Sequence, residues 1–328
     1  MPLSEGRTTS PPKILLAIAL VLFILRISST IYDHVRPKEK DPIDWKTEKY
    51  LEQAIKAPNG KLILLWFTAD WCAPCKTLQA SVFHNSEVVK VINEKFIPVK
   101  IVDRKKEDGK NSDVVQILES KFRLYVFPTL IVALPTPELD TVDTELGGGS
   151  ALSCLDFFAH AIKDAPFNDG ISRLAAGETE RAIEIFKQWL PSTLRTNERS
   201  IYASLYLSAA YVIHGDNDEA KSVLEESETH SKDHSWPRPL INYLDQSSTE
   251  IIESAEEEHL QLLDAHYFAG ILSLSKKDDK GAIAEFRWVR AHGAKGNHAY
   301  DLATGQLQKM HAPLQAEKQD GEHTDSEK

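Results

Sequence analysis

Apolar positions follow three different patterns along the chain. A polar leader with Arg7 and Lys13 runs into an unbroken apolar stretch, Ile14 to Leu25, closed by Arg26. From Asp44 to Lys163 short apolar runs alternate with helix-spaced segments. Asp44 is placed to cap a helix from Trp45 to about Lys56, whose Tyr50, Leu51, Ala54 and Ile55 share one face, and Pro58-Asn59-Gly60 ends it. Leu62 to Phe67 is continuously apolar, the pattern of a strand covered on both faces. Helical sequence follows the stretch Thr68 to Lys76, and Asn85 or Ser86 can cap a further helix to about Lys95. Phe96 to Val102 reads as a second strand, the charged stretch Asp103 to Asp113 as an exposed loop, and the next segment as a helix to about Phe122. Tyr125 to Val132 is an apolar strand entered through Pro128, with Thr141 to Leu146 pairing beside it. After Gly147-Gly148-Gly149, Ser150 caps a helix to about Lys163. This order predicts an α/β fold, a mixed sheet covered by helices on both faces.

From Asn168 onward strand patterns disappear and helix formers dominate. An alanine followed four residues later by Phe or Leu recurs as Ala182/Phe186, Ala220/Leu224 and Ala282/Phe286. Twelve residues before each alanine stands a small residue, Gly170, Ser208 or Gly270, and the equivalent turn positions hold Gly177, Gly215 and Lys277. These units resemble tetratricopeptide repeats, helix–turn–helix modules of ~34 residues that stack into arrays with a concave binding groove. Spacings of 38 and 62 residues depart from that period, and a plain helical bundle fits the same pattern. An all-α helical-repeat domain is thus expected over residues 168–310, before a polar, acidic tail at 311–328 expected to be disordered.

The first apolar stretch is short for a spanning helix of ~20 residues, yet no A-x-A-like cleavage site follows it. Residues 1–32 are read as a leader and signal anchor extending past Arg26 to Ile31 and Tyr32, with a cleaved signal peptide as the alternative. Residues 33–43, with Pro37 and Pro42, form a linker to the body. An apolar segment behind a basic leader points to export, placing the body on the extracytoplasmic side. The basic flank Arg26, Arg36, Lys38 and Lys40 argues for the opposite, cytoplasmic orientation.

A net charge of −11 disfavours binding to a phosphate backbone, so nucleic acid is excluded as a partner. Three cysteines are too few for a disulfide scaffold, and two of them lie in one motif, Trp71-Cys72-Ala73-Pro74-Cys75-Lys76. A C-x-x-C pair opening a helix sets its first sulfur among free backbone N–H groups, which favour the thiolate, and its second one turn on, within reach of a mixed disulfide on the first. Structural zinc would need two more ligands at matching spacing, and no second C-x-x-C exists. No metal and no cofactor is called for.

With the Trp-Cys-x-Pro-Cys-Lys core after a buried strand, Pro128-Thr129, and glycines before the last helix, residues 44–165 resemble the thioredoxin family. Thr68 to Lys76, followed by Ser81-Val82-Phe83 and Ser86-Glu87-Val88, is most similar to the thioredoxin-like domains of bacterial thiol:disulfide interchange proteins. The resemblance implies a thioredoxin fold, a cis peptide before Pro128 and dithiol/disulfide exchange. It makes Cys72 the nucleophile and Cys75 the resolving thiol. Trp71 becomes a wall of the site and Pro128 with Phe127 the loop that docks the client, with Ala73, Pro74 and Thr129 as further substrate-binding residues. One departure is Trp66, standing where the family usually has a buried aspartate. The side chains of Ala73 and Pro74 supply no hydrogen-bond donor to a thiolate, where strong oxidants have one such as a histidine, which favours a reductant.

The expectation is therefore a membrane-tethered thiol:disulfide oxidoreductase that reduces disulfides of client proteins and carries a helical-repeat domain for docking partners. Its own reductant would be a membrane electron donor, or a thioredoxin reductase-like protein in the cytoplasmic orientation. The alternative is a chaperone or assembly scaffold whose redox pair is incidental. Cys154 reads as a buried small hydrophobe, His84 as an exposed side chain, His230/His234 as a solvated loop and Glu256-Glu257-Glu258 as a solvated helix face.

Overall fold

The computed structural model describes residues 26, 41–190, 198–228, 236–244 and 259–312. The anchor expected over 1–32 (save Arg26), most of the linker, His230/His234, the Glu256–Glu258 run and nearly all of the tail lie outside the described residues. Among the described residues no helix is long and apolar enough to cross a membrane.

Five strands form one mixed sheet: β1 (Lys46–Thr47), β2 (Leu62–Ala69), β3 (Phe96–Asp103), β4 (Thr129–Ala133) and β5 (Thr141–Leu146), in spatial order β1-β3-β2-β4-β5. β1 and β2 run parallel to β3, whereas β4 is antiparallel to both β2 and β5. Helices α1 (Leu51–Lys56), α2 (Ala73–Thr77), α3 (Ser86–Lys95), α4 (Lys105–Asp108) and α5 (Asp113–Lys121) connect them, and α6 (Ala151–Ala175) follows β5. β2 is buried on both faces: Leu64 and Trp66 face the cluster with Phe83, Phe96 and Phe158, while Ile63, Leu65 and Phe67 face the one with Val115 and Leu118.

The structure corrects the expected elements in four places. Lys46 and Thr47 pair with Val99 and Lys100 as an edge strand instead of opening a helix, because Trp45 is drawn onto Trp66 and Phe83 at 5.0 Å from each ring. The fourth strand starts at Thr129, since Pro128 has no N–H to give a ladder. The charged loop is ordered by buried Asn111, which accepts from the Arg104 N–H at 2.6 Å and donates to Glu119 at 2.8 Å. The helix capped by Ser150 runs to Ala175, passing through Pro166.

That long helix joins two cores. Phe157, Phe158, Ala161 and Ala165 belong to the sheet cluster, and Phe167, Ile171 and Leu174 to a cluster formed wholly by helices. Burial on both sides outweighs the hydrogen bond lost at Pro166. The Ser172 hydroxyl donates to Asp140 at 2.6 Å and Lys295 pairs with Glu138 at 2.6 Å, tying the β4–β5 loop to the helical region. A cavity of about 450 Å³ lies along this junction, lined among others by Leu62, Leu134, Pro135, Arg173 and Trp189.

The helical region comprises α7 (Thr179–Trp189), α8 (Glu198–His214), α9 (Asn217–Glu228), α10 (Pro239–Leu244), α11 (His259–Ser275), α12 (Asp279–His292) and α13 (His298–Lys309). The end of α6 with α7, α8 with α9, and α11 with α12 form three hairpins of one design. Gly177, Gly215 and Lys277 hold φ of +81°, +103° and +61° at equivalent turn positions. After each, an N–H returns to a carbonyl five residues back: Glu178 to Arg173, Asp216 to Tyr211, Asp278 to Ser273. A Cβ on Gly170 would sit 2.7 Å from the Phe186 ring, and one on Gly270 2.4 Å from Phe286, so the small residue and the Phe are one packing device. Among the described residues the inner faces of α6, α8 and α11 are covered instead of open. α13 packs back on α6, with Gly305 against the Ala175 carbonyl, and the centre is filled by buried Tyr206 among Phe167, Phe186, Phe268 and His298.

Candidate active site

β2 delivers the chain to its C-terminal end, where Asp70 and Trp71 turn outward and Cys72 takes an extended conformation as the N-cap of α2. Pro74 fits the first turn, whose N–H groups need no partner within the helix. The Cys72 Sγ accepts from the Cys75 N–H at 3.1 Å, a contact that favours negative charge on this sulfur over that of Cys75. The two cysteines form a disulfide with Cα atoms 5.3 Å apart, and both are buried. α2 continues into a π-helical turn, Leu78–Val82.

Three other segments converge on this turn. Phe127-Pro128 is a cis peptide, and the Pro128 carbonyl accepts from the Gly147 N–H at 2.8 Å. Phe127 packs against the cluster that holds both cysteines, and its ring meets Trp71 edge to face at 5.9 Å. Thr129 is fully buried, its hydroxyl donating to the Val126 carbonyl at 2.8 Å, which fixes the loop from inside. Gly148, at φ +62°, lies where a Cβ would come within 3.1 Å of both Leu78 and Pro128, so only glycine lets the β5–α6 connection pass so near. Trp71, Ala73 and Pro74 are exposed on the open side, with Trp71 at 44 %. The residues expected at the site are thus brought together.

Trp66 is fully buried in the cluster with Cys72 and Cys75, and the Lys100 ammonium lies 4.4 Å from its ring. An indole N–H only donates, so Trp66 offers no base to Cys75. Cys154 is a buried free thiol, its pKa pushed up to about 12 by burial and then by Glu145, so it stays protonated. His84 is exposed and bonds the Gln79 carbonyl.

Two features went unread in the sequence. Arg104 pairs with Asp70 at 3.8 Å, and Lys106 places its ammonium 3.7 Å from the Trp71 ring centroid. Both come from the segment read as a plain loop, and its run of basic residues was the only available signal.

A family model described as thioredoxin-like matches residues 44–134. Residues 44–134 form a thioredoxin-like domain. Among solved structures, the chain is similar to a thioredoxin from Thermus thermophilus at 15% identity, covering 37% of this chain and 88% of that one with a TM-score of 0.32. It is similar to the C-terminal domain of Neisseria meningitidis DsbD in the oxidised form at 23% identity, covering 35% and 91%, TM-score 0.29. A DsbH oxidoreductase matches at 17% identity, covering 39% and 92%, TM-score 0.30. No curated protein matches the chain. Within the thioredoxin-like domain the redox motif and the cis-proline loop occupy one end of the sheet. The start of β2 and the end of β4, at the other end, face the helical region.

Proposed function

We propose that the protein is a thiol:disulfide oxidoreductase acting as a reductant of client proteins, with Cys72 as nucleophile and Cys75 as resolving thiol. The observation that carries this reading is the Cys72–Cys75 pair at the start of a helix, beside the cis Phe127-Pro128 loop of a thioredoxin-like domain. In the reduced protein the Cys72 thiolate attacks one sulfur of a client disulfide. The client S–S bond breaks, a mixed disulfide forms and one client thiolate leaves. Cys75, having given its proton to water or another group, attacks the Cys72 sulfur, releases the second client thiolate and restores the Cys72–Cys75 disulfide. Two electrons pass to the client. They are replaced by an external reductant, a membrane electron donor or a thioredoxin reductase-like protein.

The apolar run Ile14–Leu25 supports a membrane tether, with the body on the extracytoplasmic, periplasmic side. Docking of partners by the helical region is assigned to a cleft of about 310 Å³ lined by Val212, Leu224, Leu244 and Ile271. Reduction of insulin disulfides by the full chain, with dithiothreitol as electron source, tests the activity. Catalysis by the wild type, loss in Cys72→Ser and a trapped mixed disulfide in Cys75→Ser are expected. A wild type no faster than dithiothreitol alone would overturn the reading in favour of the scaffold.

A further inference from the structure

Trp71 is exposed at the lip of the redox site and is held on two sides, edge to face by Phe127 and from α4 by Lys106. A cation so placed extends the aromatic wall beside Cys72 with a positive charge. The cations on either side in the segment each have a carboxylate partner, Arg104 pairing with Asp70 at 3.8 Å and Lys105 with Glu119 at 2.8 Å. Among the described residues no carboxylate comes within 4 Å of Lys106, although Glu107 and Asp108 follow it on α4. Among the described residues Lys106 thus pairs with no carboxylate, and its ammonium lies over the Trp71 ring at the lip of the site.

Resting on the oxidoreductase reading, we propose that Lys106 is a specificity-determining residue, selecting client disulfides flanked by acidic side chains. The net charge of −11 does not oppose this, because at physiological salt exposed charges act over only ~8 Å and the local cation governs the encounter at the site. A unit charge ~6 Å away in water changes an encounter about threefold, so an acid-flanked client should outrun a base-flanked one by roughly tenfold. Lys106 moves no proton or electron, and the sulfur chemistry stays with Cys72 and Cys75.

The test uses the full chain, reduced with dithiothreitol and freed of it, then mixed with two disulfide peptides identical except for Asp or Lys beside one cysteine. Neutral hydroxyethyl disulfide serves as a third oxidant. The second-order rate of protein oxidation should favour the Asp peptide by roughly tenfold at low salt, and the preference should shrink as salt is added. Lys106→Glu should invert the preference, Lys106→Gln should bring the ratio near one and Lys106→Arg should preserve it. A merely structural brace on Trp71 would slow both peptides together and leave their ratio unchanged, which would overturn the proposal. A wild type that none of the three disulfides oxidises would instead overturn the oxidoreductase reading itself.

Discussion

In the thioredoxin-like domain β2 lies between β3 and β4, partners distant in sequence, and each of its side chains is committed to one face or the other. In the helical region most packing is between a helix and the next one along the chain. The first arrangement holds the end of a central strand rigidly, which is what a pair of cysteines needs in order to meet a loop from β4 at fixed geometry. The second tolerates change at single positions: Phe186 and Phe286 become Leu224, and the turn glycines become Lys277, without loss of the hairpin. One half is built to position a few atoms, the other to repeat a contact. The shared helix α6 makes them mechanically continuous, its 25 residues spanning ~37 Å from the redox end into the helical core.

The sharpest way to break this comparison is to remove the nucleophile. Cys72→Ser is expected to lower insulin reduction at least ~1,000-fold, because hydroxyl is not ionised at neutral pH and thiolate is the attacking species. Circular dichroism should show the helical region unchanged. Residual activity within tenfold of wild type would mean that the chemistry does not run through this pair.

Next in size is a clash inside the helical half. A Cβ at Gly305 would lie 2.0 Å from the Ala175 carbonyl, so Gly305→Ala must push α13 off α6. Overpacking of this kind costs ~1–3 kcal/mol, more than the ~1 kcal/mol gained in helix propensity. Because Ala175 ends the shared helix, both halves should melt together at a temperature several degrees lower, observed as one calorimetric transition. Two separated transitions would show that α6 does not couple them.

A third prediction concerns acidity. In the helical half burial raises the pKa of Asp264 to about 6, although the Tyr202 hydroxyl donates to it at 2.6 Å, and burial likewise raises Asp301 to about 6. Below pH ~4 these groups hold their protons folded or unfolded. Between ~4 and ~6 only the folded state retains them, so stability falls as pH rises through that window, and the loss persists above it. Burial of the Asp264 carboxyl makes its share on the order of 2 kcal/mol. Asp264→Asn should flatten that part of the profile in urea titrations at pH 4 and pH 7. An unaltered slope would show that its carboxyl ionises normally.

How much of this was legible in the sequence follows the same division. The redox motif and β2 could be read because each is a contiguous stretch, and Phe127-Pro128 through family resemblance. The hairpin turns could be read because Gly177, Gly215 and Lys277 keep a constant offset from the Ala/Phe pairs. What escaped depended on contacts between distant residues. β1 is two residues long and exists because Trp45 finds Trp66. Lys106 reaches Trp71 from a segment that Asn111 closes through its bond to the Arg104 N–H. The continuation of α6 past Pro166 needs two cores to override a helix breaker, and closure of the helical region by α13 rests on one glycine that looks ordinary in sequence.

The smallest expected effect sharpens the comparison most, because it asks whether the helical half is a true repeat at the level of single dihedrals. Lys277 holds φ +61° where the other hairpins have glycine at +81° and +103°. An L side chain in that region costs ~1–2 kcal/mol relative to glycine, while glycine gives back ~0.4–1 kcal/mol through the greater freedom of the unfolded chain. Lys277→Gly should therefore stabilise the protein by roughly 0.5–1 kcal/mol, and Gly177→Lys should destabilise it by a similar amount. Lys277 is exposed, and among the described residues its side chain makes no hydrogen bond or ion pair, so little else changes with it. Urea midpoints at constant slope are the measurement. If Lys277→Gly lowers the midpoint, the third turn is held by contacts the first two lack. The hairpins would then be alike in outline only, with the Ala/Phe pairs and not the turns setting their common geometry.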